Sequence, residues 1–229
     1  MLMYLGMLKY TSLVFVGLFG CVDNVGLNLD HTGPSAAVYD DGTTLRVTGC
    51  TDGAAFGCGT PAFGDAMTVT ADGVMHDVPQ GSEDAIDDQL IGLFSDGPFQ
   101  ITLPRPVDPE IHLDVARASA QIALPPAFAI DPVPLGLTHR ANGVPLTITH
   151  EVLPGATTTW GVMVSTCGSR TRTDLVEEMV SGELEISFDP ALVGICTHEI
   201  HVDQRTRVPN VELDVYTIRI ARVTVTSNP

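Results

Sequence analysis

Again and again along this sequence, apolar and polar residues alternate with a period of two, and Gly, Pro, Asn or Asp cuts each run short. That rhythm belongs to half-buried strands and leaves little room for helices. Thr44 to Thr48 (T-L-R-V-T) alternates, and Met67 to Val78 reads as a hairpin around Asp72-Gly73, a tight-turn signal. Phe99 to Leu103 follows and ends at Pro104-Arg105-Pro106. Ile111 to Leu124 reads as one long strand whose phase changes midway, which predicts a bulge or a strand that switches sheets. Pro145–Val152, Thr157–Cys167, Glu183–Phe188, Cys196–Asp203 and Val211–Thr226 supply the later strands.

Helical signals are few. Ser82 to Phe94 carries a cap, early acids and Ile86, Leu90 and Phe94 at four-residue spacing. Thr173 to Val180 predicts one or two helical turns stopped at Gly182, and Asp189-Pro190 opens a single turn. The expected fold is therefore all-β, as antiparallel β-sandwiches. Two tandem sandwiches of immunoglobulin-like layering fit the length better than one barrel. Four prolines between Pro125 and Pro134 mark the expected boundary, giving domains over residues 36–124 and 125–229.

The N-terminus has a different grammar. Residues 1–20 are almost wholly apolar, with Lys9 the one charge and an unbroken apolar run from Leu13. A positive residue, an apolar run and a small residue before a cysteine make a secretory signal, starting at Met1 or at Met7. An uncleaved membrane helix is the competing reading. Leu18-Phe19-Gly20-Cys21 resembles the lipobox of bacterial lipoproteins. That resemblance implies removal of residues 1–20, acylation of Cys21 (palmitate among its chains), attachment to a membrane and a tether over residues 21–35. By the same resemblance, Val22 directly after the cysteine points to the outer membrane of the cell envelope; a protein otherwise secreted is the alternative.

If Cys21 takes lipid, four of the five cysteines remain: Cys50, Cys58, Cys167 and Cys196. An even set in an exported chain reads as two disulfides. Of three pairings, Cys50–Cys58 with Cys167–Cys196 keeps each bridge within one half. No C-x-x-C spacing supports zinc instead.

Lys9 is the sole lysine, so residues 21–229 carry ten arginines against 28 acids, a formal charge of −18. Nucleic acid, whose phosphates require a cationic face, is excluded as a partner, and so is an electrostatic grip on anionic lipid. The partners expected are the membrane through Cys21 and an envelope protein or glycan.

No chemical motif closes. His198-Glu199-Ile200-His201 is one residue short of H-E-x-x-H, and on a strand its histidines point to opposite faces. His198 is expected partly buried beside the disulfide, and His201 solvated among Glu199 and Asp203. His112 and Asp114 share another strand face. Asp40-Asp41 and Glu83-Asp84…Asp87-Asp88 lack the EF-hand pattern. There is no G-x-S-x-G elbow, and Glu177-Glu178 adjacency is not the opposed geometry of a glycosidase. Arg170/Arg172 and Arg205/Arg207 read as charges that discourage pairing at strand edges, and Trp160 as core. The second half, from L-P-P-A-F-A-I-D-P to V-T-V-T-S-N-P, is similar to uncharacterised secreted lipoproteins of Gram-negative bacteria; the similarity implies no particular activity. No catalytic residue, metal ligand or cofactor is assigned. The expectation is a lipid-anchored, non-catalytic binding or structural module, against an envelope hydrolase with a carboxylate site or a divalent-cation-dependent adhesin.

Overall fold

The computed structural model describes residues 33–229 apart from 52, 55–56, 59–64, 81–98, 134–136, 139–144, 179–180, 190 and 211. The signal segment, Cys21 and the helix expected over Ser82 to Phe94 lie outside the described residues. The strands run β1 Ser35–Asp40, β2 Thr44–Cys50, β3 Gly53–Ala54, β4 Gly57–Cys58, β5 Met67–Ala71, β6 Val74–Asp77, β7 Phe99–Pro104 and β8 Glu110–Val115. They continue with β9 Ala118–Ala123, β10 Leu137–Thr138, β11 Leu146–Thr149, β12 Ala156–Cys167, β13 Arg170–Glu178, β14 Glu183–Ile186, β15 Cys196–Val208 and β16 Asp214–Asn228. The chain is all-β. Among the described residues no helix is long and apolar enough to cross a membrane.

One large sheet organises everything, in the order β13-β12-β15-β16-β1-β2-β7. Pairing is antiparallel except along one side of β16, where β1 takes the first half and β10 the last residues, both parallel to it. Two smaller layers cover this sheet. The four-stranded sheet β6-β5-β8-β9 packs Met67, Val69, Ile111, Leu113 and Ile122 against Val38, Leu45, Val47 and Val215. The pair β11-β14 packs Ile148, Leu184 and Ile186 against Met163, Ile200 and Val202. The result is two sheet-on-sheet cores side by side on a single sheet. β15 and β16 pair in unbroken register from Cys196↔Ser227 to Val208↔Val215, so both strands run through both cores.

Local rules explain the turns. Asp72 (φ 49°) and Gly73 (φ 74°) form the expected two-residue hairpin turn, whose twist requires positive φ at both positions. The phase change in Ile111 to Leu124 is a second hairpin rather than a bulge. Val115 pairs with Ala118, and Ala116 takes φ 54° in a turn that lacks the usual Gly, Asn or Asp. Over Thr173 to Glu178 the expected helical turns are not formed, and the last two residues of that expectation lie outside the described residues; β13 pairs with β12 from Cys167↔Arg170 to Thr159↔Glu178. Gly168 (φ 61°) starts that hairpin, and the ladder with β12 pairs the inward-facing backbone groups along the whole strand, where a short helix would leave open the groups of its first and last turns. At Asp189 the single turn does form: its carboxylate accepts the Ala191 N–H (2.8 Å) and its carbonyl the Leu192 N–H (3.1 Å). Gly161 is required by packing, because a Cβ there would overlap the Leu184 methyl that presses onto the sheet.

Candidate functional site

Between the two cores the large sheet carries a row of polar side chains instead of apolar ones. Thr159, Gln204, Arg219 and Asp40 lie opposite one another on β12, β15, β16 and β1, all buried. Asp40 is the anchor. Its carboxylate accepts from Arg219 and from Arg105 Nε (3.0 Å), and also from the Gly42 N–H (2.8 Å). Gln204 joins the second layer: its Oε1 accepts the Leu153 N–H (2.8 Å) and its Nε2 donates to the Glu151 carbonyl (2.5 Å). Sequence reading missed this seam. Asp40 stood out only as half of an acidic pair, and its partner Arg219 lies 179 residues away.

Beyond the seam, at the far end of the second core, Cys167 and Cys196 form a disulfide across β12 and β15, with Cα atoms 4.3 Å apart. Cys50 is disulfide-bonded as well; the Cys58 side chain lies outside the described residues. His198 sits beside the Cys167–Cys196 bridge, wholly buried, between Ser165 Oγ (2.8 Å) and Ser227 Oγ (2.6 Å) and against the Phe188 ring at 4.4 Å. A serine hydroxyl on an imidazole is the first half of a nucleophile–base pair. Here the imidazole has no exposed surface, so no substrate reaches it. The group works as a buried polar clasp.

The expectation of a solvated His201 is overturned. Its residue is 4% exposed, and its Nε2 lies 2.8 Å from Glu199 Oε1 on the face of the large sheet that turns away from the two cores. That face also buries Trp160, Val162, Ile218 and Ile220, so polar residues there are enclosed with apolar ones. Asp203, opposite Trp160 and Ile220, is buried too, and its Oδ1 has no hydrogen-bond partner. Burial pushes the Asp203 carboxyl up to about 7, with Arg222 opposing the rise. Arg205 is not an edge charge: it lies where β15 is flanked by β12 and β16, and it stacks on Tyr216 at 3.4 Å from the ring centroid, whereas Arg207 lies past the end of the β12 pairing, bonded to Asp214 (3.0 Å). Arg172 does lie on the outermost strand β13, bonded to Asp174 (2.8 Å) and Asp189.

His112 and Asp114 share the open face of the four-stranded sheet, as expected, 3.2 Å apart and about half exposed. Thr68 Oγ1 donates to the other Asp114 oxygen at 3.1 Å. Among the described residues no three His, Cys, Asp or Glu side chains are placed to hold a metal ion. Among the described residues, His198, His201, Asp203, Asp40, His112 and Asp114 are each taken up by an internal bond or by burial and lie at separate places on the sheets; Glu83, Asp84, Asp87, Asp88 and the side chains of Glu177 and Glu178 lie outside the described residues.

No family model matches the chain, and no curated protein does. Solved structures give distant likenesses. A cytokine receptor complex is 10% identical over 82% of this chain and 95% of its own, with a TM-score of 0.27. A tetra-tandem repeat from the extending region of a large adhesion protein is 14% identical, with 84% of this chain covered and a TM-score of 0.25. The FN1–FN3 domains of chicken CNTN1 are 12% identical over 86% of this chain, again at 0.25. The chain spans about half the length of the adhesion protein (49%) and 66% of the CNTN1 fragment. Scores this low leave the fold to be read from the chain's own sheets.

Proposed function

We propose that this chain is a lipid-anchored, non-catalytic module of the cell envelope, tethered through an acylated Cys21, with the outer membrane as its site. It presents a stiff two-core β body that binds or braces another envelope component. The observation that carries this reading is the unbroken β15–β16 ladder through both cores. At ~3.3 Å per residue, β16 alone extends for roughly 50 Å. Bending one core against the other would break that ladder and expose the Asp40–Arg219 pair. A body of that kind keeps its two ends at a fixed separation, a structural task. Asp40 and His198 are engaged in buried internal bonds, which supports binding over catalysis.

Two measurements test the reading. Mass spectrometry of the mature N-terminus should find Cys21 first in the chain and acylated; an unmodified Cys21 overturns the anchor. Crosslinking in intact cells followed by pull-down should capture a defined envelope protein or glycan, and repeated failure to capture one counts against a binding role.

A further inference from the structure

Strand β9 (A-S-A-Q-I-A) is an outer strand of the four-stranded sheet. In an antiparallel pair, backbone groups point alternately toward the partner and away from it. The Leu124 N–H donates to the Pro109 carbonyl on the β8 side (2.7 Å), which sets the parity: Ala118, Ala120 and Ile122 face β8. Ser119, Gln121 and Ala123 therefore turn their N–H and C=O groups to the edge that no strand among the described residues pairs, and their side chains are exposed. The Ser119 carbonyl already takes a donor there, the Asn210 side-chain amide at 3.1 Å. Beside it opens a cavity of about 780 Å³ lined by Ser119, Arg207, Pro209, Asn210 and Glu212.

Natural sheets guard open edges with charge, proline or bulges. The outermost strand of the large sheet, β13, obeys, with Arg170, Arg172 and Asp174 along it. β9 has no charge, no proline and a regular register over six residues. We propose that β9 receives an added strand, an extended segment of another protein that bears lysine or arginine at alternate positions. Backbone bonds to Gln121 and Ala123 would supply the pairing, and the incoming strand would replace Asn210 at the Ser119 carbonyl. The basic character follows from charge. Asp108, Glu110 and Glu212 are exposed around this edge and the whole chain carries −17, so a second copy is repelled where a basic segment is drawn in.

This deepens the binding half of the reading above, and its failure is separable from that reading. The full chain, labelled with nitrogen-15, is mixed with a capped heptapeptide alternating threonine and arginine, and in parallel with its threonine–glutamate counterpart. With the arginine peptide, amide exchange at Gln121 and Ala123 should slow by about tenfold or more while Ala120 and Ile122 stay as they were. Gln121→Pro removes an edge N–H that the ladder does not use and should abolish the effect; Ala123→Pro serves if that variant folds poorly. No slowing with either peptide, equal slowing by both, or slowing that rises with protein concentration alone would overturn the assignment. Envelope crosslinking that survives Gln121→Pro would overturn this edge and leave the binding module standing.

Discussion

The two cores solve the same problem with different means. Among the described residues the first buries nineteen apolar side chains beneath a four-stranded layer, and the second buries ten beneath a two-stranded one. The thinner layer has less apolar area to contribute. The second core adds the His198 clasp and the Gln204 contacts to the chain at 151–153, while each side carries a disulfide, at Cys50 and at Cys167–Cys196. Under the smaller layer the large sheet itself is tied by covalent and polar links between β12, β15 and β16, and Gln204 holds the chain that follows β11. The seam at Asp40 joins a core beneath a broad apolar layer to one beneath a small layer with more buried polar bonds around it.

The sharpest break of this contrast lies at the seam. Asp40→Ala leaves the Arg219 guanidinium buried without its carboxylate, a loss of about 3–5 kcal/mol for a pair of this type. Because β15 and β16 serve both cores, amide protection at Val47 in the first and Ile200 in the second should fall together. Protection lost on one side alone would show two independent units that merely share strands.

Asp203 lies on the opposite face of the sheet from both cores and tests the contrast through pH. Its folded carboxyl titrates at about 7 against an ordinary 3.8, so the folded state holds the proton more tightly. Stability from this group is therefore fully present below about pH 4 and declines as pH rises through 7. Each tenfold in proton affinity is about 1.4 kcal/mol, so the decline is about 4 kcal/mol at most. Asp203→Asn should flatten the profile, unfolding at higher denaturant than the parent at pH 8 and at similar denaturant at pH 4. A parent profile that rises between pH 5 and 8, with no change in slope in the variant, would show that Asp203 ionises freely in the fold.

Replacing both Cys167 and Cys196 by alanine should cost about 3–4 kcal/mol on the chain-entropy model, given the separation of 29 residues. The loss should concentrate in the second core, with exchange at Ile200 and Met163 accelerating before exchange at Val47 or Leu113. Uniform acceleration would mean that the bridge stabilises the whole sheet and that the second core has no special need of it.

How much of this was legible follows the range of the interactions. Strand alternation and the Asp72-Gly73 turn are local, and they lie where the sequence puts them. The Cys167–Cys196 pairing was legible for the same reason, since both residues end strands in one half. The β8–β9 hairpin was hidden because Ala116-Arg117 carries no turn former, so only a phase slip marked it. β13 was misread because Thr173 and Gly182 frame a helix as well as they frame a strand; pairing with β12 decided the matter. The Asp40–Arg219 seam and the burial of His201 depend on which strands become neighbours across the chain. Alternation assigns a residue to a face, and the strand order determines whether that face meets water.

The smallest effect separates the cores by packing. Each has a glycine under a side chain from its covering layer: Gly49 beneath Met67 and Gly161 beneath Leu184. An added methyl forces that side chain aside, and overpacking of this kind costs about 1–3 kcal/mol. Met67 is a flexible thioether within a broad layer and can rotate away. Leu184 is branched and belongs to a strand of four residues whose only partner strand among the described residues is β11. Gly161→Ala should therefore destabilise more than Gly49→Ala, by about 1 kcal/mol within that range. Denaturant midpoints of the two variants at one pH measure the difference. Equal losses would mean that the two-stranded layer yields as easily as the four-stranded one.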